Sequence, residues 1–320
     1  MYLLIIGIFI VFLVVLAMRP FRLNREVKSD PVDSYQEAIS RIQQIQAEES
    51  SIMDLNPVCE TRLFTHGDKV ENVIVFLHGF TSCPDQFSRL GQEYYDEGFN
   101  VYIPRVPRHG REDILGTRLK GFTAEEMADF ASETVDIAQG LGTRVVVVGL
   151  SGGGSMAIWL SSERADVDLV VSIAPFLGVG FIPRILNRPL TNLVLLIPDF
   201  FQWWDPIHKE KNPNSAPYSY RRYPVHALFE NLRLGYAASE KVKKNKPAAR
   251  ALLTITNAND ISVNNSVVDE FEGIWSSHGQ ELVQSFRFPK ELQLPHDLIT
   301  VDRPDSKVEL VYPKLHELIK

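Results

Sequence analysis

Residues 145–160, VVVVGLSGGGSMAIWL, decide the fold. Four valines form a β-branched run of strand length, apolar on both faces, as a strand covered from both sides requires. Small and apolar residues after Gly152, Gly153 and Gly154 suit a helix. Between them stands Gly149-Leu150-Ser151-Gly152-Gly153, a G-x-S-x-G pentapeptide. A serine at a strained strand-to-helix turn projects its Oγ outward, while the residues two before and two after press on neighbouring backbone. Glycine at 149 and 153 fits that crowding. A helix N-terminus behind Ser151 offers free N–H groups and a dipole that favours negative charge. Alone, the pentapeptide also suits a turn that merely packs helix on strand; its place directly after a strand gives it weight.

Outward from this corner the chain alternates. Apolar runs of strand length stand at 73–77, 99–103, 145–149, 169–173, 251–256 and 285–288. Helical stretches at 84–97, 123–139, 152–164 and 266–278 separate most of them. This predicts an α/β fold with a mostly parallel sheet covered by helices on both faces. Residues 176–247 break the alternation: they are rich in proline and aromatics, carry no clear strand, and read as an insertion.

Composition narrows the function. At 320 residues, 45% hydrophobic and 23% charged, the chain is an ordinary globular protein. A net charge of -7 argues against a nucleic-acid partner, and the basic run 241–246, KVKKNK, reads as a solvated helix end. The histidines show no metal-ligand spacing, and neither a P-loop nor G-x-G-x-x-G is present, so no metal or cofactor is expected. Cys59 and Cys83 make no disulfide framework and are expected as reduced thiols.

The N-terminus reads separately. Residues 2–18, YLLIIGIFIVFLVVLAM, carry no charge and reach the lower limit of a bilayer span, about 17 residues. Arg19, Arg22, Arg25 and Lys28 follow, with no basic segment before, which favours an uncleaved anchor over a signal peptide. Residues 1–18 are therefore expected as a single-pass transmembrane helix, with the main domain on the cytoplasmic side. Residues 19–50 follow as a juxtamembrane linker and amphipathic helix, with Ile39, Ile42 and Ile45 on one stripe against the domain flank or the membrane surface. The main domain spans 51–320.

A second signature joins the serine corner. Residues 75–87, VFLHGFTSCPDQF, end a strand in His78-Gly79-Phe80. With both motifs the chain resembles the α/β-hydrolase superfamily, and within it carboxylesterases and monoacylglycerol-lipase-like enzymes, from about residue 59 onward. The resemblance implies the α/β-hydrolase fold, a cap over 176–247, and an oxyanion hole from the Phe80 and Gly152 N–H groups. It also implies the chain order serine, acid, histidine. His278 falls at a helix end and His316 on an amphipathic C-terminal helix, which leaves His296 in LQLPHDLIT as the base. Asp260 in LLTITNANDISVNN sits just past a strand and is the expected acid, with an Asx-turn helix cap as its alternative role. Asp297 adjoins the histidine too closely to orient it, and Asp166 and Asp168 precede their strand, at the wrong end of the sheet. His78 is expected to pin its loop. As His296 protonates, activity is expected to fall with a midpoint of about 6–7.

The chain departs from the family at three points: Gly152 where many relatives carry Met, Leu or Gln, PRHG at 107–110 where G-H-G is frequent, and Pro295 before the histidine. A serine nucleophile with two amide donors implies acyl transfer to water. The aromatic insertion suggests a lid over medium or long acyl esters, with Phe176, Phe181, Phe200, Trp203 and Trp204 as pocket residues, or else as the cap's own core. Membrane lipid is the expected partner of the anchor. A thioesterase, amidase or C–C hydrolase would use the same triad. A catalytically silent, membrane-anchored binding module is the alternative outside enzymes.

Overall fold

A computed structural model describes residues 2–24 and 26–319. Arg25, one of the cations counted above, lies outside the described residues. The chain opens with α1 (Tyr2–Ala17), α2 (Tyr35–Ser50), β1 (Arg62–Phe64) and β2 (Val70–Leu77). Next come α3 (Ser88–Asp96), β3 (Asn100–Ile103), α4 (Ala124–Leu141), β4 (Gly142–Leu150), α5 (Gly152–Glu163) and β5 (Leu169–Ile173). The segment after β5 holds α6 (Arg184–Val194), β6 (Phe201–Trp203) and β7 (Arg222–Pro224). Then α7 (Val225–Val242), β8 (Leu252–Asn257), α8 (Asn265–Ser276), β9 (Val283–Phe288) and α9 (Val308–Ile319) complete it.

Seven strands form one sheet in the order β1-β3-β2-β4-β5-β8-β9. β1 runs antiparallel to β3, and the remaining neighbours are parallel. Central β2 and β4 pair from Val70↔Gly142 to Leu77↔Gly149, and Val73, Val75 and Val145 to Val148 are fully buried. That burial is why these runs read as continuous rather than alternating. The chain leaves β2 toward β3 on one side and leaves β4 toward β5 on the other. The two connections diverge, opening a crevice at the carboxyl ends of β2 and β4.

Helices cover both faces. On β3, Val101 and Ile103 lie against Gly91 of α3, whereas Tyr102 lines a cleft with Phe130 and Ile137 of α4. Consecutive strand residues point to opposite faces, so α3 and α4 flank opposite sides. α4 starts at a capping box, with the Thr123 side chain on the Glu126 N–H and the Glu126 carboxylate on the Thr123 N–H. The expected strands and helices all form, but the short β1, β6 and β7 were not anticipated. Three residues are too few to show a period. β6 and β7 pair as a small antiparallel ribbon inside the insertion, from Phe201↔Pro224 to Trp203↔Arg222.

Two expectations are corrected. α1 is apolar and mostly exposed, but its 16 residues reach only roughly 24 Å at 1.5 Å per residue, short of a hydrocarbon core of about 30 Å. Among the described residues no helix is long and apolar enough to cross a membrane, which leaves the single-pass span and its cytoplasmic orientation without support. Cys59 and Cys83 are not reduced thiols: they form a disulfide, their Cα atoms 5.2 Å apart. Both lie in a buried cluster with Ala216 and Tyr218 of the insertion.

The linker is laced to the domain rather than loose. Ser29 Oγ and the Asp30 N–H donate to the Asp136 carboxylate, and the Val32 N–H donates to the Asp136 carbonyl. Phe21 stacks on Tyr236 at 5.0 Å beneath the Arg188 guanidinium. α2 seats Ala38 and Ile42 on the flank of α4, where a methyl on Gly140 would lie 2.8 Å from Ala38 Cβ.

Candidate active site

β4 ends at Leu150, and Ser151 takes φ 55° and ψ -111°, a backbone that L-residues rarely adopt. The surrounding backbone holds it there. A methyl on Gly149 would lie 2.1 Å from the Gly153 carbonyl oxygen, and one on Gly153 would lie 2.0 Å from that of Leu77. The Ser151 N–H donates to the Ile173 carbonyl at 2.9 Å, and the Phe176 N–H donates to the Ser151 carbonyl at 3.1 Å. The hydroxyl is left at the head of α5, above the crevice between β2 and β4.

Across that crevice stands His296, in the loop after β9. Its Nε2 lies 3.0 Å from Ser151 Oγ, and its Nδ1 lies 2.6 Å from Asp260 Oδ2. With a carboxylate on Nδ1, the neutral ring keeps its proton there and presents a bare Nε2 to the hydroxyl. Asp260, past the end of β8, has no exposed side-chain surface. Its Oδ1 accepts the Ser262 N–H at 2.8 Å and the Val263 N–H at 3.1 Å, an Asx turn. It does not cap α8; Asn264 does. Burial opposes the Asp260 charge, yet the His296 ring and these two donors hold its carboxyl below the usual carboxylate value. Burial likewise opposes an imidazolium at His296, but the Asp260 carboxylate outweighs it and raises the ring to about 9. An acid limb governed by this ring would lie above the value of about 6–7 expected from sequence.

Asn257, which the sequence reading did not single out, fixes the histidine loop. Its Nδ2 donates to the Leu294 carbonyl at 2.7 Å and to that of Pro295 at 3.1 Å. An asparagine closing an otherwise apolar strand was the available signal. The competing groups are engaged elsewhere. Asp297 pairs with Arg303 and Asp166 with Arg164, while Asp168 pairs with Arg250 at the opposite, amino end of the strands. His316 pairs with Glu93 and Glu97, and His278 Nε2 lies on the Val242 carbonyl.

Phe80 follows β2 as Ser151 follows β4, so the two loops face each other. A methyl on Gly152 would lie 3.0 Å from the Phe80 nitrogen, 2.9 Å from Phe80 Cβ and 2.9 Å from Asn231 Oδ1. The Met, Leu or Gln of relatives has no room here, which accounts for Gly152. Behind the loop, the His78 Nδ1–H donates to the Gly79 carbonyl, and Nε2 accepts the Val106 N–H, each at 3.0 Å. His109 of PRHG is buried beside Phe80, and burial lowers its ring to about 4. No group of ligating side chains among the described residues is placed to hold a metal.

The five expected pocket residues differ in exposure and in neighbours. Phe176 is 6% exposed beneath the nucleophile, whereas Phe181 is 85% exposed on the loop before α6. Trp203 lies under Arg222 on the ribbon, Phe200 is half-exposed, and Trp204 meets Phe80 edge-on. A cleft of ≈ 510 Å³ lies between α2, the end of β3 and α4, and its lining includes none of the five expected pocket residues and none of Ser151, Asp260 and His296.

Residues 74–262, more than half the chain, match the Alpha/beta hydrolase family. The chain is similar to a thermostable monoacylglycerol lipase of Bacillus sp. (strain H-257), 24% identical over 229 residues that cover 66% of this chain and 79% of the relative. Among solved structures, it resembles the metagenome-derived lipolytic enzymes LipS and LipT at TM-score 0.58 and 17% identity, covering 83% of this chain and 98% of that one. It also resembles the Paleococcus ferrophilus monoacylglycerol lipase at TM-score 0.56 and 17% identity, covering 81% and 97%. The sheet order, the serine corner between β4 and α5, and the family match agree: this chain belongs to the alpha/beta hydrolase family.

Proposed function

We propose that this protein is a serine hydrolase that cleaves carboxylic esters of medium or long acyl chains through an acyl-enzyme. The observation that carries this reading is the hydrogen-bonded chain from Ser151 Oγ through His296 to Asp260. His296 Nε2 takes the hydroxyl proton as Oγ attacks the acyl carbon, and Asp260 stabilises the imidazolium so formed. The tetrahedral oxyanion develops beside the N–H groups of Phe80 and Gly152, each donor contributing about 3–4 kcal/mol at the transition state. His296 then hands the proton to the leaving alkoxide. A water attacks the acyl-enzyme with the same base, which frees the acid and restores Ser151.

The insertion over 176–247 is proposed as the lid, and its exposed Phe181, Ile185, Leu196 and Ile197 suit an apolar substrate. The likeness to a monoacylglycerol lipase supports a glycerol monoester as the natural class. α1 is proposed to seat its exposed apolar side chains in a lipid surface. Removal of residues 1–18 should abolish flotation with phospholipid vesicles, and unchanged flotation would overturn that role.

The test of substrate class is kcat/KM for p-nitrophenyl esters from C2 to C12. Apolar burial of about 0.8 kcal/mol per CH₂ gives a rise of up to about fourfold per methylene. A monotonic decline from C2 would contradict the reading.

A further inference from the structure

Thr81 directly follows Phe80, whose N–H is one of the two oxyanion donors proposed above. Its φ is +68°, in the left-handed region. For a β-branched residue this backbone is a true outlier and persists only where surrounding contacts impose it. The contacts that fix Thr81 come from the insertion, not from the sheet. The Trp204 indole Nε1–H donates to Thr81 Oγ1 at 2.9 Å, and the Tyr220 N–H donates to the Thr81 carbonyl at 2.8 Å. Both donors flank the β6–β7 ribbon, one at each end of the excursion that joins its strands.

Trp204 is itself held in place. Its backbone N–H donates to the Arg221 carbonyl at 3.1 Å, and its ring packs on Tyr223 at 4.1 Å. Trp204 and Tyr223 both meet the Phe80 ring edge-on, at 6.4 and 6.0 Å. Two residues past Thr81, Cys83 is tied to Cys59 beneath Ala216 and Tyr218. On the inner side, the Gly79 N–H donates to Gln86 Oε1 at 2.8 Å. The scaffold therefore fixes the loop at Gly79 and, through the disulfide, at Cys83, while the insertion fixes Thr81 between them. Trp204 is also 41% exposed, so the residue that reaches Thr81 is in part open to solvent.

We propose that Trp204 is a positioning residue: its indole N–H latches the lid to Thr81 and so aims the Phe80 N–H at the developing oxyanion. The latch rests on the serine-hydrolase reading and deepens it. A lid bonded to the residue after an oxyanion donor makes the donor's direction depend on lid position. The hole is complete with the lid seated, and the Phe80 peptide is free to rotate when the lid lifts. The interaction serves the charged transition state more than the neutral ester, so its loss lowers kcat with little change in KM. Trp204, expected from sequence as a pocket wall, takes a different role here.

The test compares Trp204→Phe, Thr81→Val, Thr81→Ser and the Trp204→Phe/Thr81→Val double variant in the full chain, with fluorophosphonate labelling of Ser151 as a parallel readout. Trp204→Phe keeps the aromatic packing and loses only the donor; Thr81→Val keeps the shape and loses the acceptor. Each should lower kcat about tenfold with KM within about twofold, and the double variant should lose no more than either. Thr81→Ser retains the oxygen and should keep kcat near wild type. Affinity for a boronic acid, which forms a tetrahedral adduct on Ser151, should fall by the same factor as kcat. An unchanged kcat in Trp204→Phe with normal Ser151 labelling would overturn the latch alone. Multiplying losses in the double variant, or a raised KM at constant kcat, would do the same. Absence of Ser151 labelling in the wild type would overturn the hydrolase reading and the latch with it.

Discussion

The serine corner and the insertion above it are built on opposite terms. At the corner, backbone packs on backbone: Gly149 and Gly153 have no space for even a methyl, and every residue of α5 from Gly152 to Ser162 is buried. Across the insertion and α1, large apolar side chains face outward, with Phe181, Ile185 and Ile207 largely exposed. The corner is closed by backbone, its own and that of β2 and β5 on either side. The insertion leaves apolar surface that its own chain does not cover, as suits a surface that meets apolar substrate.

The contrast breaks most easily at the corner. Gly153→Ala places a methyl 2.0 Å from the Leu77 carbonyl oxygen, backbone that cannot yield cheaply. Chemical denaturation should show a loss of about 4 kcal/mol or failure to fold. Next in size is the disulfide, which closes a loop of sequence separation 24. Its removal in Cys59→Ser should cost about 3 kcal/mol, and thiol titration of the denatured, unreduced protein should find no free thiol. Two titrating thiols would restore the reduced state expected from sequence.

A third test concerns charge. In the proposed mechanism His296 acts as the unprotonated base, and Asp260 raises its ring to about 9. kcat/KM should therefore climb with pH, its acid limb centred above 7. In Asp260→Asn the residual activity should show that limb shifted downward, because burial then acts without the carboxylate. The smallest effect belongs to the insertion's surface. Phe181→Ser should change stability by less than about 0.5 kcal/mol, since its ring is already in water. A large loss there would mean the insertion is as self-sufficient as the corner.

The sheet was legible because its central strands are buried on both faces and helical stretches separate them. The grouping of Ser151, Asp260 and His296 was legible because Ser151 and Asp260 stand just past strands and the chain order left few competing histidines. The pairing of Cys59 with Cys83 was not, since two cysteines 24 residues apart give no spacing signal and only the fold brings them together. Nor was the end of the apolar helix, which turns on a difference of a few residues at a bilayer's limit. The Trp204–Thr81 bond spans 123 residues and involves an insertion without periodicity, so nothing local announced it. Aromatic content suggested a pocket wall at Phe181 and Trp203, yet composition fixes no direction. Register on the short ribbon and the exposed loop before α6 decide where those rings point.

The central claim is that Ser151 is the nucleophile activated by His296. Its most direct test is mass spectrometry of the intact protein and its peptides after reaction with a fluorophosphonate, with p-nitrophenyl ester turnover measured alongside. A single adduct on the peptide bearing Ser151, lost together with turnover in a folded Ser151→Ala variant, is the predicted result. An adduct on another residue, or turnover that survives in Ser151→Ala, would contradict it.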